Sequence, residues 1–275
     1  MDAVDRFAAL LDRDESRIDL GSAAFALAAL EYPDLDVAVQ VQRLDRLAGE
    51  ASRVLRATDP PRRHVAAINR VLFDEYGLRG NRDDYYDPRN SYLNEVLDRR
   101  LGIPITLSVI YMEVGRRLGL TLRGVGLPGH FLVRVATADE PLLVDPFGGG
   151  RLLDTEDCAA LLRDVHGSEA RLDPAMLRSV GTRAILYRMV TNLKLIYGRR
   201  QDLARAIRCL DALLLMEPGA TREYRDRGLA RLRAGDLKGA RADLVTYTSA
   251  APNAADAAVI QGQIQLVDQL TQRLN

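Results

Sequence analysis

Apolar residues recur at helical spacing through most of the first hundred positions. In DLGSAAFALAALEYP a polar start at Asp19 or Ser22 precedes an apolar run, and Pro33 ends it because a proline disfavours helical geometry in the residue before it. PDLDVAVQVQRLDRLAGEASRVLR repeats the arrangement, with Asp34 or Asp36 as cap and Val37, Val41, Leu44 and Leu47 at helical spacing. HVAAINRVLFDEYG spaces Val65, Ile68, Val71 and Leu72 alike and stops at Gly77. The polar stretch LRGNRDDYYDPRNS is rich in turn residues and long for a plain connection; as a connection it would run over the surface. Ser91 then caps a short helix in SYLNEVLDRR, and after LGIPI a further helix runs from about Thr106 to Leu118, with Gly119 supplying the left-handed residue that ends it.

Beyond Gly119 the period changes from helical to alternating. TLRGVGL, HFLVRV and PLLVDPF read as three short strands. In the second, the pleat sends His130, Leu132 and Arg134 to one face and Phe131, Val133 and Val135 to the other. If the second face is the core, His130 shares its own face with a charge and reaches solvent. From about residue 175 the chain is helical again and repeats itself: Asp202-Leu203, Ala206, Leu210 and Pro218 return 34 residues later as Asp236-Leu237, Ala240, Leu244 and Pro252. That period resembles tetratricopeptide repeats, with Lys194 standing where the second copy has Gly228. The predicted fold is α+β in two modules, residues 1–170 and residues 171–275. Two repeats closed by VIQGQIQLVDQLTQRLN are fewer than the roughly three a free-standing array needs, so they are expected to dock on the first module.

Composition narrows the function classes. With 47% hydrophobic and 28% charged residues the chain is of ordinary globular type. The two cysteines, Cys158 and Cys209, make neither a disulfide framework nor a zinc site, and no cofactor or metal is expected. An acidic N-terminal stretch without an apolar core, and no long apolar span, predict a cytoplasmic protein that does not engage a membrane. The chain is neutral overall, but residues 171–275 hold 17 Lys and Arg against 10 Asp and Glu, leaving the rest acidic. No cluster of basic and aromatic residues points to nucleic acid.

The candidate chemistry lies in the strands. His130 opens one and Asp145 closes the next, a placement in which the carboxylate would orient the imidazole. The phrases DPRNSYLNEVLDRRLGIPITLSVIYMEVGRRLGL, GLPGHFLVRV and LLVDPFGGG resemble the SirB family of the transglutaminase-like superfamily, whose bacterial members commonly append such repeats. The resemblance implies a transglutaminase-like (papain-like) core and a Cys-His-Asp triad. His130 and Asp145 match its last two members, while GIPITLS, where the thiol belongs, has no cysteine. Thr106 and Ser108 are the nearest hydroxyls, Thr106 reading as a helix N-cap. Two readings follow. One is a non-catalytic scaffold whose cleft, lined by Asn90, Asn94, Tyr86 and Arg134, holds a peptide or protein partner. The other is an amide or ester hydrolase or acyl transferase with Ser108 or Thr106 as nucleophile. Gly148–Gly150 lacks the Lys-Ser/Thr of a phosphate loop and reads as a turn.

Overall fold

In the computed structural model, which describes residues 3–12 and 14–274, aspartates ahead of apolar runs start several of the helices. After α1 (Ala3–Leu11), α2 (Leu20–Ala29) begins where Asp19 accepts the Ser22 amide at 2.8 Å, and α3 (Val37–Ser52) begins where Asp36 accepts the Ala38 and Val39 amides. α4 (Pro61–Asn69) does not continue as an α-helix to Gly77. It passes into a π-helical turn, Arg70–Glu75, in which the Tyr76 amide reaches five residues back to the Val71 carbonyl at 2.8 Å, and the chain leaves at Gly77 with φ +80°.

β1 (Arg79–Gly80) is followed by residues 81–92, which include a 3₁₀ turn at Pro88–Ser91, then by α5 (Leu93–Arg99) and β2 (Leu101–Gly102), which pairs in parallel with β1. Ser91 is not the cap of α5: Tyr92 holds that position, and the capping carboxylate is that of Asp87, which serves the 3₁₀ turn by accepting the Arg89 amide. α6 (Pro104–Arg117) starts two residues earlier than the sequence suggests, because proline suits the first helical position. Ile103 is therefore the N-cap and Thr106 lies in the first turn, its Oγ1 accepting the Ile103 amide at 3.1 Å.

The sheet holds five antiparallel strands rather than three. β3 (Leu122–Val125), β4 (Leu132–Val135), β5 (Leu142–Asp145), β6 (Arg151–Leu153) and β7 (Ser179–Val180) lie in the order β6-β5-β4-β3-β7, with α7 (Thr155–His166) between β6 and β7 in the chain. The glycine run turns β5 into β6, with Gly149 and Gly150 at φ +75° and +80°. α6 packs on one face, so closely that a Cβ on Gly115 would stand 2.4 Å from Leu122 Cδ1, and α2, α3, α4 and α5 pack around α6. The other face is covered as well, by a cluster of Val125, Leu127, Leu132, Leu153 and Cys158. Covering both faces corrects the expected exposure of His130. It is 7% exposed and precedes β4 instead of opening it.

The chain divides into two units, one reaching to Leu186 and the other from Tyr187 onward. The boundary read from sequence at residue 170 falls after α7; β7, beyond it, hydrogen-bonds to β3. α8 (Thr182–Arg199) runs through the division and is followed by α9 (Leu203–Met216), α10 (Thr221–Arg233), α11 (Leu237–Ala250) and α12 (Ala257–Leu274). The 34-residue period is visible as Asp202 capping α9 and Asp236 capping α11, each accepting the amide three residues on. Gly228 lets α10 and α11 cross closely: a Cβ there would meet Leu244 Cδ2 at 2.7 Å. Lys194, at the equivalent position, reaches Glu223 at 2.7 Å and Asp226 at 3.2 Å, so the departure from the repeat becomes a link between α8 and α10. α12 closes the module, burying Ile260 and Ile264 against Leu244 and Tyr247. Among the described residues no helix is long and apolar enough to cross a membrane.

Tyr111 on α6 is fully buried, stacks on Phe73 with centroids 6.3 Å apart, and has a hydroxyl without a hydrogen-bond partner among the described residues; burial pushes its pKa far above that of a free phenol. An unpaired buried hydroxyl costs about 1–3 kcal/mol. Tyr111→Phe should leave the thermal midpoint unchanged or raise it, read by circular dichroism; a drop of several degrees would mean that the hydroxyl is bonded.

Candidate functional site

The site forms where α6 begins, β4 begins and β5 ends. His130 Nε2 lies 2.8 Å from Asp145 Oδ1, and both side chains are buried. The same carboxylate oxygen accepts the Phe147 amide at 3.1 Å, so the turn after β5 holds the carboxylate in place from its own backbone. The sequence brings this about through register: β4 and β5 pair Val133 with Val144, which sets Asp145 opposite the residue beside Phe131 and within reach of His130.

The two candidate hydroxyls are built into this junction but turned to other partners. Thr106 Oγ1 donates toward the Asn90 carbonyl (2.8 Å) or that of Ile103 (3.1 Å) while accepting the Ile103 amide. Ser108 Oγ donates to the Phe131 carbonyl at 3.2 Å, which fixes the first turns of α6 against the start of β4. Neither hydroxyl hydrogen-bonds the imidazole. Both are fully buried.

The polar stretch expected to run over the surface is in part an interior network. Asn81, Asp87 and Asn90 are buried. Asn90 Oδ1 accepts from Asn81 Nδ2 (3.1 Å) and Arg99 (3.3 Å), and its Nδ2 donates to the Asp84 and Tyr85 carbonyls. Although burial pushes the Asp87 carboxyl up, hydrogen bonds from Arg89 and the charges of Arg99 and Arg89 hold it below the usual carboxylate range. This network lays residues 81–90 over Phe147. Arg82 sits 4.9 Å above the Phe147 ring, while Tyr85 and His130 meet it edge-on at 6.3 and 5.7 Å. Gly80 is required here, since a Cβ would stand 2.5 Å from the Phe147 ring. Tyr86 packs edge-on to Tyr85 and is 54% exposed.

Of the sequence-derived residues, His130 and Asp145 are joined, and Thr106, Ser108 and Asn90 lie in the same junction. Asn94 is buried at the start of α5, and among the described residues its Oδ1 has no hydrogen-bond partner, nor has the buried Ser91 hydroxyl. Arg134 lies further along β4 and donates to the Leu177 carbonyl at 2.6 Å. Phe147, Asn81 and Asp87 were not singled out by sequence reasoning. The signal for Phe147 was its place two residues after Asp145; the other two looked like loop residues. Cys158 is fully buried on α7, and burial with nearby Asp157, Asp154 and Asp145 pushes its thiol up to about 11, far from a reactive thiolate. Among the described residues no cluster of His, Cys, Asp and Glu could hold a metal ion.

A family model described as the transglutaminase-like superfamily matches residues 39–191, and one described as tetratricopeptide repeat matches residues 193–265. A UPF0162 protein of Xylella fastidiosa is 42% identical over 269 residues, spanning 95% of this chain and 93% of that protein. A UPF0162 protein of Vibrio cholerae is 30% identical over 256 residues, spanning 93% and 94%. F-box only protein 21 of Mus musculus is 36% identical over 183 residues, 62% of this chain but 28% of that protein. No solved structure matches.

If Thr106 serves the fold, Thr106→Val should lower stability by about 1–3 kcal/mol in urea denaturation, because it orphans the buried Ile103 amide; Thr106→Ser should restore most of it. Asp87→Asn should cost a similar amount, about 1–3 kcal/mol at neutral pH. The folded-state pKa of Asp87 is depressed, so its contribution is present above the unfolded-state pKa and is lost as pH falls through the folded one. The variant should therefore lose less stability than wild type as pH is lowered below about 4; parallel curves for the two proteins would contradict this.

Proposed function

Because this chain belongs to the transglutaminase-like superfamily, we propose that it is a non-catalytic member of the SirB kind, which uses the His130 cleft to hold an extended peptide segment of a partner protein. The observation that carries this reading is the commitment of the two hydroxyls in the first two turns of α6. Thr106 is tied to Asn90 and Ile103, and Ser108 to Phe131, so neither directs its proton to His130 as a base. A nucleophile of that type also needs its proton taken as it attacks, and the buried Phe131 carbonyl is far too weak a base for that.

In this reading the His130–Asp145 pair is a recognition element. Its imidazole is oriented by a buried carboxylate, and Phe147, Tyr85 and the exposed ring of Tyr86 form an aromatic wall beside it. Aromatic rings give contact area at low cost in conformational entropy. Tyr86, Asn90, Asn94 and Arg134 are proposed as its binding residues, Tyr86 by direct contact and Asn90 by holding residues 81–90 in place. The repeats would add a second surface suited to a helix. The match to part of F-box only protein 21 supports a portable module, since there a comparable segment belongs to a much longer chain.

The rival reading, an amide or ester hydrolase or acyl transferase using Ser108 or Thr106, draws on the intact His130–Asp145 hydrogen bond. Purified full-length protein should show no hydrolysis or transamidation of peptide amides and esters above background. Its capture of a partner from lysate should weaken in Tyr86→Ala and His130→Ala. Turnover that falls by about a hundredfold or more in His130→Ala would overturn the scaffold reading in favour of general-base catalysis.

A further inference from the structure

The far edge of the sheet carries a second feature, separate from the His130 cleft. β7 covers β3 only at Gly124 and Val125, because the chain turns into α8 directly after Gly181. The Ala136 amide bonds the Thr121 carbonyl at 2.9 Å, and the ladder alternates, so Thr121, Arg123 and Val125 direct their backbone groups to β4. Leu122 and Gly124 direct theirs the other way. Gly124 meets β7 there, but Leu122 meets no backbone partner among the described residues.

The open edge faces a groove of about 660 Å³, within the roughly 300–1,000 Å³ of ligand pockets. Its apolar lining includes Ile18, Met112, Leu122 and Ile185. Its charges are not equally available. Glu113 is bound by Arg116 and Arg117 and Asp19 by Arg116, while Glu15 accepts the Arg183 backbone amide at the start of α8 and, being exposed, has no ion pair among the described residues. The remaining two, Arg17 and Arg123, are exposed and have no ion pair among the described residues. An unpaired strand edge asks for a partner that supplies a backbone donor and acceptor together, and two unpaired guanidinium groups against the single unpaired carboxylate of Glu15 leave a positive surplus that asks for an acidic partner.

We propose that this groove takes an extended acidic peptide segment of a partner protein, which adds to the sheet beside Leu122. Main-chain hydrogen bonds at Leu122 set the register, the apolar lining takes side chains from one face of the added strand, and Arg17 and Arg123 pair with its acids.

Random heptapeptides displayed on phage, selected against the immobilised full-length chain, test this directly. The enriched pool should be rich in Asp and Glu, and a peptide synthesised from it should slow hydrogen exchange at the Leu122 amide and bind more weakly as salt rises. Binding should weaken about tenfold in Arg17→Glu/Arg123→Glu, whose exposed side chains leave the fold intact by circular dichroism. Selection no better than on a bare surface, a pool without acidic enrichment, or equal binding by the double variant would overturn the proposal. His130→Ala separates the two sites: retained binding supports a distinct groove, while lost binding assigns the peptide to the His130 cleft and sinks this inference alone.

Discussion

A helix whose first two turns are enclosed by protein must find partners for the polar groups there in whatever chain surrounds it. That constraint governs α6, most of whose side chains are buried between the sheet and the helices of the first unit. Thr106 and Ser108 cannot turn to solvent, so each binds a backbone carbonyl from a different neighbour, Asn90 from residues 81–92 and Phe131 from the start of β4. Those two bonds pull a polar stretch and a strand onto the same helix end. His130, the residue before Phe131, is carried into the junction with them.

The polar stretch follows the same logic one step outward. Asn90 lends its carbonyl to Thr106, and its side chain is then saturated by Asn81, Arg99 and the carbonyls of residues 84 and 85. Asp87 is held among Arg89 and Arg99. A buried network of this kind is strong only when each member is satisfied, and it places Arg82 and Tyr85 on Phe147 and hence beside His130. The site is thus the end of a chain of hydrogen bonds that begins inside α6.

What could be read from sequence was what depends on neighbours in the chain. Asp19 and Asp36, each one of two caps that the sequence offered, cap helices because capping is decided within three residues. The 34-residue repeat was legible for the same reason, and the order of helix and strands pointed to the α+β class. Depth was not legible. HFLVRV looks half-exposed by its alternation, and only the later α7, with Cys158 packed among Leu132 and Leu153, buries the second face. β6 and β7 are three and two residues long, too short for a periodic signal, and exist because of their pairing partners. Thr106 looked like a cap because the pattern does not say which residue of IPIT is helical first; Pro104 decided it. Asn81 and Asp87 carry the composition of a turn, and their burial is a tertiary fact.

The π-turn at Arg70–Glu75 bears on how this sequence can change its length. It holds one residue more than an α-helix would use over the same span, and the extra residue sets the direction in which Tyr76 leaves. Tyr76 donates to the Leu97 carbonyl at 2.7 Å and receives Arg43 at 3.2 Å, joining three helical segments. Removing one residue here would restore a regular helix and yet turn everything after it by about 100°, carrying Tyr76 away from both partners. Local regularity and global fit are therefore opposed in this stretch, and the chain can shed residues far more freely from its surface loops than from this apparent irregularity.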